Sequence, residues 1–148
     1  MTTQHMAIAI VIAARLKTAG IAGGRVTVNR ARALSSDTAA AIVVRLGRSA
    51  SQEVRQLGGR TTWNTLVEIE CYGRDGGADV PGLAADLVLE QVFENLASAS
   101  DLGVGVMDIE PLAGDTLHWD FEQADTGLAC VDARFLVKHQ TNGRTLKA

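Results

Sequence analysis

The twelve residues Thr61 to Tyr72 (TTWNTLVEIECY) alternate without interruption: Trp63, Thr65, Val67, Ile69 and Cys71 fall on one side, and Asn64, Leu66, Glu68, Glu70 and Tyr72 on the other. That is the two-residue period of an extended chain with one face in a core and a largely polar opposite face. A strand of this length requires a sheet around it and a second layer against its apolar side.

The remaining segments supply both. Leu128 to His139 repeats the pattern, with Val131, Ala133, Phe135 and Val137 on one face and Asp132, Arg134 and Lys138 on the other. Arg25 to Arg30, Ala41 to Leu46 and Val104 to Ile109, the last closed by Pro111, are shorter strands rich in β-branched residues. Two segments carry a helical period instead. His5 to Thr18 is apolar nearly all round, with Thr2 or Thr3 as its cap and Gly20 as its stop. Such a helix needs cover on more than one side. Val80 to Ala97, opened by Pro81, stacks Ala85, Val88, Leu89, Val92, Phe93 and Leu96 against Asp86, Glu90 and Glu94 on the opposite side. The order α-β-β-β-α-β-β predicts an α+β fold: a mainly antiparallel sheet with two helices packed on one face, as a single domain over residues 1–148. Trp63, Val67, Phe93 and Phe135 are expected to share its core, and the tail from about residue 141 to 148 to be flexible.

Composition narrows the function. The chain has 148 residues, 47% of them hydrophobic, and a net charge of -3, which argues against a protein that wraps nucleic acid. Met6 to Ala14 is too short to span a bilayer, and its positive residues, Arg15 and Lys17, follow the apolar run rather than precede it, so neither a membrane anchor nor a secretory signal is expected. Cys71 and Cys130 read as buried thiols. The three histidines lie far apart, and the glycine pairs lack a phosphate-cradling pattern, so no metal and no cofactor are expected. Asp115, His118, Asp120, Glu122 and Asp125 form the one cluster in which a histidine among carboxylates resembles an acid–base pair, yet no nucleophile accompanies it. A hydrolase built on His118, or a module that binds a ligand or peptide at a strand edge, stands as the alternative to a purely structural role.

Two features point toward assembly. The segment Gly47 to Arg60 (GRSASQEVRQLGGR) joins two strands that should pair, yet it far exceeds the length of a hairpin turn, and Arg48, Arg55 and Arg60, with Glu53 among them, make it basic in an acidic protein. It reads as a mobile loop that meets a partner surface. The polar sheet face would carry Glu68, Glu70, Asp108, Asp132, Arg134 and Lys138, either as a solvated face or as one whose charges set the register of a neighbouring copy.

The layout of an apolar first helix, two strands, a basic loop, a strong strand ending at Tyr72, a helix after Pro81 and closing strands resembles the tail terminator and minor tail U-like proteins of long-tailed phages. The final third, WDFEQADTGLACVDARFLVKHQT from Trp119 to Thr141, carries most of the likeness. The resemblance implies a non-enzymatic virion tail protein, assembled in the host cytoplasm. It implies a ring of copies, commonly six, that caps the tail tube, halts its polymerisation and offers a surface to the head-tail connector, with DNA passing through the lumen. On that reading Arg48, Glu53, Arg55 and Arg60 would meet the tube or the connector. Asp86, Glu90, Glu94, Asp132 and Arg134 would line the lumen or the subunit interface, although a plain solvated helix face is the simpler reading of the first three.

Overall fold

The computed structural model describes residues 2–29, 38–52, 59–75, 82–99, 102–121, 127–143 and 145–147. Helices α1 (Gln4–Thr18) and α2 (Leu83–Ala97) lie on one face of a sheet built from β1 (Val26–Val28), β2 (Ala40–Ser51), β3 (Thr61–Arg74), β4 (Val106–Pro111), β5 (Leu117–Asp120) and β6 (Leu128–Thr141). The sheet order is β1-β2-β3-β6-β4, with β5 also on β6; β1 runs parallel to β2 and every other pairing is antiparallel. The expected α+β architecture is therefore observed. Beyond it lies β5, a short strand that places Leu117 opposite Ala133 and Asp120 opposite Cys130.

The alternation read from the sequence is the one the sheet uses. In register, Ile42, Cys71 and Val131 form one row, Val44, Ile69 and Ala133 the next, and Leu46, Val67 and Phe135 a third. All but the half-buried Leu46 are at most 2% exposed, and all nine join the core formed with Ile8, Ile12 and Leu16 of α1 and Val88, Val92 and Leu96 of α2. α1 packs over β1 and β2, and α2 over β3 and β6. Thr3 caps α1, its hydroxyl accepting from the Met6 N–H at 3.3 Å. α2 is capped from a distance: the Asp75 carboxylate, just past β3, accepts from the N–H groups of Gly82 at 2.7 Å and Ala84 at 2.8 Å. Pro81 lies outside the described residues. Gly73 lets the helix come this close, since a β-carbon there would stand 2.3 Å from the Ala85 nitrogen. Arg15 ties the helices together, donating from Nε to the Asn95 side chain at 2.8 Å.

Two expectations change. β2 runs on to Ser51, so Gly47 to Ser51 belongs to a strand; a bulge between Leu46 and Ser49 breaks its period and masks the strand in the sequence. Trp63 lies outside the apolar cluster, with its indole N–H donating to Thr141 Oγ1 at 2.9 Å. In the tail, the Leu146 carbonyl accepts from the Gln4 N–H at 2.8 Å and the Gly143 carbonyl from Thr61 Oγ1 at 2.7 Å.

Trp63 belongs to a polar end of the core. Gln4 Nε2 donates to the Val104 carbonyl, so Gln4 Oε1 accepts, and the fully buried His139 donates to it from Nδ1 at 2.6 Å. Neutral His139 then accepts at Nε2 from Thr65 Oγ1 at 2.6 Å, Thr65 accepts from Ser49 Oγ at 2.7 Å, and Ser49 accepts from His5 Nε2 at 3.1 Å. Each donor in the chain has one acceptor, and the run has a single direction from His5 to Val104. The His5 ring stands edge-on to both Trp63 and His139, at 4.9 and 4.8 Å.

Two predictions follow from this packing. Phe93 packs against the buried Phe135, the rings tilted with centroids 5.0 Å apart; Phe135→Ala should cost about 3 to 5 kcal/mol in a urea titration, and the half-buried Phe93 less. Burial, aided by the nearby His5, lowers the His139 pKa from 6.5 to about 4. The unfolded chain therefore binds a proton in that interval that the folded chain refuses, and stability falls as pH drops from about 6.5 toward 4. Denaturation midpoints between pH 7 and 4.5 should decline more steeply for the wild type than for His139→Asn, and parallel curves would show that His139 is not the group responsible.

Candidate interaction surface

The sheet face away from the helices carries the charges that the alternation assigned to it. Glu68 stands opposite Arg134, and Asp132 shares the same guanidinium: Arg134 Nε lies 3.6 Å from Glu68 and 3.5 Å from Asp132, while its Nη1 reaches Asp115 at 2.5 Å. Arg45 pairs with Glu70, which also accepts from the Tyr72 hydroxyl at 2.7 Å. This part of the face thus sets Glu68, Glu70, Asp115 and Asp132 around two guanidinium groups. Burial, reinforced by Glu68, pushes the Asp132 carboxyl up.

His118, the centre of the acid–base alternative, lies on β5 and bonds Asp115 at 2.6 Å; both side chains are more than half exposed, and Asp115 is held low first by that bond and also by Arg134. The arrangement extends the ion-pair network across an exposed edge. Glu122 and Asp125 lie outside the described residues. Cys71 and Cys130 occupy opposite faces of the sheet, Cys71 buried and Cys130 half-buried, and burial raises both thiols, Cys130 to about 12. Among the described residues no group of three metal-binding side chains occurs, and no helix is long and apolar enough to cross a membrane.

The other candidate residues separate into distinct surfaces. Asp86, Glu90 and Glu94 are exposed on α2, on the far side of the sheet from Asp132 and Arg134. Arg48 and Arg60 are exposed at the end of the sheet where β2 meets β3, and neither has an ion-pair partner among the described residues; Glu53 and Arg55 lie outside them.

Arg48 borders a recess that sequence reasoning missed. On the open face Leu66 pairs with Leu136, and these two, with Leu112, Ala50, Asn64 and Ser49, line a shallow hollow of about 370 Å³. Both leucines sit at positions the alternation marks as outward, so each reads singly as an exception. Only the register, which puts them side by side, turns them into an apolar floor. The bulge in β2 adds the wall: Gly47 passes so close to Leu66 that a β-carbon would stand 3.0 Å from its Cδ2.

No protein-family model matches this chain, and no curated protein matches it in sequence. Among solved structures, a chain from the virion of a native gene transfer agent particle superposes with a TM-score of 0.56 at 13% identity, over 90% of this chain and 94% of that one. The likeness is one of fold, and it extends along nearly the whole of both chains.

Proposed function

We propose that this chain is a structural subunit of a phage-like virion and, more finely, a tail terminator: a ring of copies, six in number, seated on the end of the tail tube, where it stops polymerisation and joins the head connector. The observation that carries the first part is the near end-to-end structural likeness to a chain of a gene transfer agent virion. The finer part rests on the resemblance in layout and on the division of surfaces. A helix layer and an open sheet face with different chemistry lie on opposite sides of one domain, which suits head-to-tail contacts that close when the rotation between neighbours allows it. On this reading the subunit is made in the host cytoplasm and ends in the virion tail, and it acts by contact with the tube protein, the connector and its own copies.

The basic end of the sheet is the part assigned to the tube or connector. Replacing Arg48, Arg55 and Arg60 together with Ser should leave folding nearly unchanged: Arg48 and Arg60 are exposed, and exposed side chains contribute within about 0.5 kcal/mol each. Loss of charged contacts at an interface costs about 2 kcal/mol or more apiece and is multiplied around a ring. Tail length and head attachment, scored by electron microscopy in a complementation assay, should therefore fail in the triple variant. Uniform tails with heads attached would remove this surface from the tube contact.

A further inference from the structure

α2 buries Ala85, Val88, Leu89, Val92 and Leu96, and on the opposite side it presents an ordered second stripe: Leu83, Leu87, Glu90 and Glu94, at spacings of four, three and four. Leu83 and Leu87 are 56% and 54% exposed, among the most exposed large apolar side chains described. The two glutamates have no ion-pair partner among the described residues. The stripe is thus half apolar and half acidic along its length.

The open sheet face has a comparable arrangement. The hollow floored by Leu66 and Leu136 has Arg48 on its β2 side, level with Leu66 at the bulge, and Arg60 immediately precedes β3, six positions before Leu66. From Leu83 to Glu94 the helix rises about 16 Å; from Leu66 to Arg60 an extended chain covers about 20 Å. The opposite margin is acidic, with Glu110 across from Leu136 and Asp108 across from Lys138, so a docked helix must lean its glutamates toward β2 and away from β4. One orientation satisfies both margins.

Because this stripe and this hollow lie on opposite sides of the same two-layer domain, we infer that a second copy of this chain is the occupant: Leu83 and Leu87 of one copy seat in the Leu66–Leu136 hollow of the next, with Glu90 and Glu94 against Arg48 and Arg60. The contact is head-to-tail, uses each face once, and leaves every open assembly with one free stripe at one end and one free hollow at the other until it closes. It rests on the ring reading above and assigns the subunit interface within it, moving Arg48 and Arg60 from the tube or connector contact into the contact between copies; self-association measured without tail tube protein separates the two assignments.

The test uses charge reversal in full-length protein. Glu90→Arg with Glu94→Arg, and separately Arg48→Glu with Arg60→Glu, should each weaken self-association at least tenfold in sedimentation velocity, while circular dichroism shows the fold intact. An equimolar mixture of the two variants should assemble again, because reversed stripe meets reversed hollow and native stripe meets native hollow around an alternating ring. As an independent measure, Leu87→Cys copies mixed with Leu136→Cys copies, both in a Cys130→Ser background, should form a disulfide-linked dimer on oxidation. If the wild type assembles but the variants assemble equally well, or the mixture does not recover and the cysteines do not link, this interface is wrong and the ring reading stands. If the wild type stays monomeric both alone and with tail tube protein, both fall.

Discussion

The pairing of β3 with β6 is the constraint on which the rest of the molecule depends. Its register runs without a bulge from Thr61 opposite Thr141 to Arg74 opposite Leu128. Side chains alternate across a sheet, so a slip of β6 by one residue against β3 would carry Ala133 and Phe135 to the open face and bring Asp132 and Arg134 beneath the helices. The cost of burying those two charges without solvent sets this register more firmly than any single contact does. α2 then has one place to go, because Asp75 at the end of β3 holds its first N–H groups and Gly73 admits its backbone.

Much of this was legible in the sequence, for a physical reason. Where a strand is long, regular and covered on one side, burial writes a period into the residues, and β3, β6 and the inner stripe of α2 were each read with the correct face. The same logic explains the failures. β5 spans four residues among acidic ones and has no room for a period. The distal half of β2 carries Gly47, Arg48 and Ser49 across a bulge, which shifts the alternation so that a strand looks like a loop. Trp63, which the alternation places on the core side of β3, stands at the end of the core where Gln4, Thr65, His139 and Thr141 are buried.

That polar end illustrates a limit of reading residues singly. Gln4 and His139 are 135 positions apart, and each alone looks like a surface residue; they are compatible with a buried site only as a pair, with Val104 and Thr65 completing the valences. The hollow on the open face follows the same rule with the opposite polarity. Leu66 and Leu136 become a feature when the strands bring them together, and the charges of Arg48, Glu110 and Asp108 acquire meaning as its margins.

The outer boundaries of the sheet have a consequence of their own. One edge is β1, three residues long, and the other is divided between β4 and β5, which share the flank of β6 as two short pieces, the first of them bulged near Met107. Among the described residues the flank of β6 offers no continuous row of unpaired N–H and C=O groups, and at the other edge β1 covers Ile42 to Val44 of β2, so growth by strand addition, the route to fibres, is interrupted along the β4–β5 side and at the start of β2. The broad surfaces above and below the sheet are the larger areas available for self-association. Contacts made through those surfaces are set by side-chain shape and charge, and so can specify a fixed angle between copies and a finite particle.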